Sequence, residues 1–332
     1  MTLPTQTATL GQVFTRYAYN KIGGREYKDN KYNTKPLLKL LTERQLSGDG
    51  GESIVHPVNL GTSYQGSSLS RNQEFSITGD SNETWARYTW KTVFEPCFVS
   101  WWDIREARNS GRGMTKMLGI LDSRLNETRE NMEDNITNML SQSTAADSDD
   151  IQPLLAIVAT SGALGGLNPA TAGQTTWAAS SEATINWAVE GVARTRELFT
   201  TISDNKGNPD VILLPDQFWQ ETCEIGDSAL VINQDAATRG GTKYADLGMQ
   251  VPFILGTPVI HDYNWNSNQT ATGLVLDLSG IHMVVDPQWD MYTYPFEDMV
   301  YHGRLGQATV QLKVCELTCS HRRAQGLLST IS

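Results

Sequence analysis

Residues 113–142 read GMTKMLGILDSRLNETRENMEDNITNMLSQ, with no proline. Met114, Met117, Leu118, Leu121, Leu125, Met132, Ile136, Met139 and Leu140 recur at steps near three and four. That spacing is one apolar stripe of an α-helix, here roughly 45 Å long. The polar side carries both signs, with Arg129 one turn before Glu133. Thr128 interrupts the stripe between Leu125 and Met132. The stripe drifts and is not repeated, so the helix reads as a strut, not as half of a coiled coil.

The stretch leading into this helix is WWDIREARNSGRG (101–113). Asp103, Arg105 and Glu106 beside two tryptophans invite a reading as a site. They fit a short helical turn better, acidic at its start and basic at Arg108. Trp101 and Trp102 are large apolar anchors, and Gly111 and Gly113 let the chain turn. In TWARYTWKTVFE (84–95), Ala86, Tyr88, Trp90 and Phe94 alternate with Arg87, Thr89, Lys91 and Glu95, the period of a strand. IVHPVN (54–59) can extend as its partner, with Pro57 arguing for an edge. Between them GTSYQGSSLSRNQ (61–73) has the composition of a flexible tip. An isolated hairpin is marginal in water, so this one is expected to rest on a neighbour.

Further along, Pro36 opens a short helix bearing Leu37, Leu38, Leu40, Leu41 and Leu46. A helix is expected over 182–200 through Ile185, Ala188, Val189, Val192, Arg196 and Phe199. VILLP (211–215) reads as a buried strand, followed by a helix at 216–225 and a long loop at 226–250. Strands follow near 253–262, 273–278 and 281–286, with Ser279-Gly280 as the turn between the last two. QATVQLKVCELTC (307–319) is a long strand with Ala308, Val310, Leu312 and Val314 on one face. Its alternation slips at Cys315, which predicts a bulge or burial of both faces.

Chemistry is sparse. His56, His261, His282, His302 and His321 form no HExxH pair, and neither GxSxG nor GxxxxGK[ST] occurs. Cys315, Cys319 and His321 have a spacing that suits core packing better than zinc. SGALGGLNPATAG (161–173) is glycine-rich but lacks the lysine of a phosphate loop. His261-Asp262 resembles a base and its orienter, yet reads better as a turn. Asp277, Asp286 and Asp290 are too dispersed for a calcium loop. No cofactor, metal or catalytic residue is expected, and a hydrolase assembled from distant residues is the remote alternative.

Charge is uneven over the 332 residues, whose net charge is -11. Residues 1–46 hold eight Lys/Arg against three Asp/Glu, net +5, and the rest hold 18 against 34, net -16. A basic arm on an acidic body can dock on an acidic neighbour or touch nucleic acid without reading its sequence. Residues 1–15 lack the order of a secretory signal. No run of about 18 apolar residues exists, and four cysteines are no disulfide framework. The expectation is folding in a reducing cytoplasm.

The order of parts resembles the major capsid protein of tailed double-stranded DNA bacteriophages. Leu164-Gly165-Gly166-Leu167-Asn168-Pro169 with Trp177 downstream resembles that family's passage into its axial domain. Leu213-Leu214-Pro215 with Phe218 and Trp219 resembles its strand-Pro-helix element. Leu255-Gly256-Thr257-Pro258-Val259-Ile260 resembles its strand leaving the axial loop. Residues 290–319, followed by His321-Arg322-Arg323-Ala324-Gln325-Gly326, resemble its closing strands and tail. The resemblance spans about residues 30–328.

It implies an α+β chain with a basic N-terminal arm (1–46) and an extended β-hairpin loop (47–96). Peripheral-domain entry and spine helix (97–150) follow, then an axial domain (151–260) with return strands (261–286). Peripheral-domain closing strands and tail (287–332) end the chain. It implies self-assembly into hexamers and pentamers that close an icosahedral shell around double-stranded DNA, assembled in the host cytoplasm. Its partners would be other copies, a separate scaffolding protein, a portal and an accessory protein, with no membrane. Tyr88, Trp90, Phe94, Trp101, Trp102 and Arg105 become candidate contacts between subunits. Arg16, Lys21, Arg25, Lys28 and Lys31 would meet acidic neighbours or DNA. No covalent Lys–Asn crosslink is expected. A bacterial nanocompartment shell protein, which shares this fold, and another structural virion protein are the alternatives.

Overall fold

A computed structural model describes residues 35–48, 50–61, 83–102, 105, 113–229, 252–299 and 305–332. The chain divides into two compact units. The first holds 92–136 and 286–314. The second holds 34–91, 137–285 and 315–332.

In the first unit, strand β4 (Lys91–Ser100) and strand β13 (Gly306–Cys319) pair, and the short strands β11 (Tyr292–Thr293) and β12 (Glu297–Asp298) pair with β13 as well. Gly306 is required where β4 crosses it. A Cβ there would meet the Val99 carbonyl and stand 2.6 Å from the Phe98 ring. Along β13 the polar side is the buried one. Thr309, Gln311 and Lys313 are covered, while Ala308, Val310, Leu312 and Val314 are half-buried. These polar side chains are partnered, except that Gln311 Oε1 has no hydrogen bond among the described residues. Gln311 Nε2 donates to the Leu125 carbonyl at 3.4 Å, and the Lys313 ammonium lies 2.8 Å from Asp290. Trp289, Tyr292 and Tyr294 cluster with centroids 5.1–6.1 Å apart.

The long helix, α2 (Gly113–Ser141), runs where the stripe predicts it. Thr128, Met132, Ile136 and Leu140 are buried at steps of four. Thr128 costs little there, because its hydroxyl donates to the Arg124 carbonyl at 2.8 Å. The last turn of α2 belongs to the second unit, where the Ser141 carbonyl accepts from Gln269.

The second unit is built on a six-stranded mixed sheet in the order β5 (Ser180–Ile185), β14 (Gly326–Ile331), β9 (Gly273–Leu276), β6 (Val211–Leu213), β8 (Thr257–Ile260), β7 (Phe253–Ile254). Every residue of β6, β8 and β9 is buried, so both faces of its centre are covered. Its core joins Trp187, Leu198, Ile202, Ile212, Phe218, Val275 and Leu328. The helix expected over 182–200 is corrected. Residues 180–185 form β5, Trp187–Gly191 is a π-helical turn, and helix α3 begins at Val192 and ends at Asp204. Trp187, Gly191, Thr195, Leu198 and Ile202 make the buried stripe, leaving Val189 exposed. SSEATI carries no apolar alternation that would mark a strand, and its pairing with β14 decides the conformation.

Ser279-Gly280 lies in a turn between two strands, as expected. The turn is held by the Asp277 carboxylate accepting from the Ser279 N–H at 2.9 Å and its hydroxyl at 2.6 Å. The flanking strands do not pair with each other. β9 joins β14 and β6, whereas β10 (Ile281–Val285) lies between β1 (Leu46–Ser47) and the end of β13. Helix α1 (Pro36–Glu43) starts on its proline and buries Leu37, Leu40 and Leu41. β13 is buried at every position from Cys315 to Cys319, the two-sided burial that its broken alternation predicts.

Candidate functional site

Strands β2 (Ser53–Asn59) and β3 (Glu83–Thr89) pair antiparallel, Ile54 opposite Tyr88 and Pro57 opposite Trp85. Pro57 is tolerated because a two-stranded ribbon has only edges. The period of two divides the hairpin root into two faces. Ile54, His56, Val58, Ala86 and Tyr88 turn inward, and Val55, Pro57, Trp85 and Arg87 turn outward.

The inner face rests on its own chain, which corrects the expectation that only a neighbour could support it. The Tyr88 hydroxyl donates to the Cys319 carbonyl at 2.8 Å and accepts from the Cys319 N–H at 3.3 Å. Burial drives its phenol well above the usual tyrosine range. His56 Nε2 lies 3.0 Å from Thr318 Oγ1. Leu164 and Leu167 bracket a two-residue turn whose Gly165 and Gly166 have φ of 60° and 80°, the geometry of a type I′ turn. The Gly165 carbonyl accepts from the Arg87 N–H at 2.8 Å. A Cβ on Gly165 would stand 3.0 Å from Ala86 and 3.1 Å from the Tyr88 ring. The glycine-rich stretch is thus a shaped support for the hairpin root.

The expected single face Ala86, Tyr88, Trp90, Phe94 breaks at Trp90. Before it the even positions are buried. After it Val93, Cys97 and Val99 are buried, while Phe94 is 61% exposed. One residue outside both strands exchanges the faces. Trp90 itself packs on its own chain, its ring filling the space that a Gly48 side chain would need. Its Nε1 is buried with no hydrogen-bond partner among the described residues.

Of the expected contact residues, Tyr88 and Trp90 are therefore occupied within the chain. Phe94 and Trp101 are exposed and Trp102 is half-buried. Trp101 and Trp102 meet edge to face at 5.2 Å. The Arg105 guanidinium lies over both rings, 5.3 and 5.6 Å from their centroids. Arg16, Lys21, Arg25, Lys28 and Lys31 lie outside the described residues, as do Asp103, Glu106, Arg108, Gly111 and the hairpin tip beyond Gly61. Sequence reasoning missed Trp85, Val55 and Pro57. The first two are 54% and 42% exposed on the outer hairpin face. The strict alternation of β3 carried that signal, since placing Ala86 and Tyr88 inward sends Trp85 outward.

The residues weighed for chemistry are separated or buried. Cys315, Leu317 and Cys319 are fully enclosed, and burial pushes the Cys319 thiol up to about 12. Among the described residues no group of three or more His, Cys, Asp or Glu is placed to hold a metal ion. His261 pairs with Asp216 at 2.8 Å, not with Asp262, whose carboxylate caps the helical turn Tyr263–Asn268. Glu316 is 2% exposed, and burial pushes its carboxyl up to about 7 against the pull of the Gln152 and Leu317 N–H groups.

No family model matches the sequence, and no curated protein does. Solved structures do. A chain of the capsid asymmetric unit of cyanophage A-1(L) aligns over 92% of this chain and 96% of its own, with a TM-score of 0.61 and 14% identity. A chain of mycobacterium phage Adephagia covers 95% and 97%, at 0.56 and 13%. A chain of the encapsulin complex of Synechococcus elongatus covers 95% and 95%, at 0.55 and 12%. The chain thus shares, over most of its length, the mixed α+β fold of these capsid and shell proteins.

Proposed function

We propose that this chain is a major capsid protein, a structural and non-catalytic subunit that assembles with copies of itself into hexamers and pentamers. These close an icosahedral shell around double-stranded DNA inside the host cytoplasm. The observation that carries this reading is that the fold match to a phage capsid chain leaves almost nothing over on either side, with 92% and 96% covered. In these terms the N-terminal arm, extended loop, spine helix α2, axial domain and peripheral domain follow in the order the sequence resemblance implies. A separate scaffolding protein, a portal and an accessory protein are the further partners.

The surfaces that support assembly are apolar and outward. Val55, Pro57 and Trp85, beside Arg87, form a patch on the hairpin root. Phe94, Tyr292 and Tyr294 are exposed, as is Trp101 under Arg105. Contiguous exposed apolar groups of this kind mark contact surfaces. Subunits in a ring make heterologous contacts, so a patch on one copy meets a different surface on the next.

Electron microscopy of the chain expressed with and without its scaffolding protein tests the proposal. Closed shells or capsomers are expected. A monomer under every condition overturns it. The likeness to an encapsulin chain favours one second reading, a nanocompartment shell. Particles that protect double-stranded DNA from nuclease support the capsid, and particles that enclose only protein support the compartment.

A further inference from the structure

Two histidines meet where the hairpin root rests on β13. His56 comes from β2 and His282 from β10, with ring centroids 6.2 Å apart. Thr318 lies between them. Its hydroxyl donates to the His282 carbonyl at 3.1 Å, so its oxygen accepts from His56 Nε2–H at 3.0 Å. That chain of two hydrogen bonds ties β2 through β13 to β10. It survives in either charge state of His56, because Nε2 can carry a proton in both.

We propose that His56 and His282 form a pH-sensitive fastening, which holds the root of the β2–β3 hairpin on β13 while both rings are neutral and loosens it on acidification.

The cations around the pair support that direction, and the acidic and phenolic groups are engaged elsewhere. From β3, Tyr88 stands edge-on to His56 at 6.0 Å, with its hydroxyl committed to Cys319. From the end of α1, Arg44 raises the cost of charging His282, although it is itself paired with Asp210 at 2.7 Å. From β13, Glu316 already accepts from two backbone N–H groups. Beyond β3, Lys91 is bound to the Ser148 carbonyl and acts on Glu316. The buried Arg322 adds positive charge near Tyr88 and Cys319. Among the described residues neither histidine has a carboxylate in ion-pair distance. Acid would therefore place two cations side by side with no counter-charge, in half-buried surroundings where screening is weak. Burial holds both rings below the usual histidine range, reinforced at His56 by His282. A depressed histidine contributes stability that is present above pH 6.5 and lost as pH falls below it.

The inference concerns the subunit and stands whether or not the chain builds a shell. Hydrogen exchange of the intact protein, corrected for the intrinsic pH dependence of exchange, tests it between pH 7.5 and about pH 5. Peptides covering Ser53–Asn59 and Glu83–Thr89 should lose protection roughly tenfold, reversibly, while β6 and β9 hold theirs. His282→Gln should leave protection at pH 7.5 in place and diminish the loss, since His56 then charges without a second cation beside it. His56→Gln, whose amide can still donate to Thr318, should do the same and serves if the first variant folds poorly. Unchanged protection of the hairpin root in acid overturns the proposal. So does an undiminished loss in a folded glutamine variant.

Discussion

Glu316 shows what one buried side chain does to the pH dependence of stability. Its carboxyl is raised from 4.5 to about 7 in the folded chain. A raised group contributes stability that is complete below pH 4.5 and lost by about pH 7. Glu316→Gln should therefore stabilise the protein above pH 7 by on the order of 2 kcal/mol, and by progressively less toward pH 5. Urea midpoints of variant and parent across that range check the sign. Arg322 poses the opposite case, a cation 1% exposed and held by carbonyls alone. It donates to Ala156, Ile157, Ser161, Gly162 and Trp177 at 2.9–3.3 Å. Its planar fork reaches what a lysine ammonium cannot. Arg322→Lys should cost on the order of 3 kcal/mol in denaturant unfolding, because several buried carbonyls lose their donor. Neither role was legible beforehand. Glu316 sits in a strand whose alternation had already failed, and nothing in RRAQG distinguishes a buried arginine from an exposed one.

Among the elements, α2 shows how far periodicity reaches. Its stripe gave type and length, and the face from Thr128 to Leu140, because a helix repeats the same local geometry at each turn. Strand β3 gave its two faces for the same reason. The break at Trp90 was invisible, since one residue outside the ladder leaves composition unchanged yet exchanges every later side chain. The partition of β9 and β10 between different sheets was hidden too, because pairing partners are chosen by contacts distant in sequence. The support of the hairpin by Gly165 belongs to this scale. Gly165→Ala meets both a positive φ and a contact of 3.0 Å with Ala86. It should destabilise by about 1–3 kcal/mol and raise hydrogen exchange in β2 and β3 before the sheet of β6 and β9.

At the scale of the whole molecule, the proposal of a shell makes the outward hairpin face consequential. Trp85→Ala removes a large side chain that is 54% exposed, so the thermal transition of the subunit should move little. Assembly should fail or slow, because aromatic anchors dominate contact energy. Light scattering and micrographs of variant and parent measure this, and normal shells would remove Trp85 from the contact. Deletion of residues 61–73 should likewise impair assembly more than folding. Charge adds a further expectation. The body outside residues 1–46 carries -16, which favours DNA packed without adhering to the wall. A strongly basic inner surface in a solved shell would contradict it.

The sequence alone determined the long helix, the alternating hairpin, the buried strand before Pro215, the two-sided burial at Cys315–Cys319 and the order of parts that resembles a capsid protein. Each is written in local period or in spacing along the chain. The tertiary structure alone decided that Tyr88 and Trp90 are held within their own chain, leaving Trp85 and Phe94 outward, and that His56 meets His282. Those outcomes depend on which distant strand lies beside the hairpin. Residue 56 is brought to residues 282 and 318 only by packing between elements that the chain separates by more than two hundred positions.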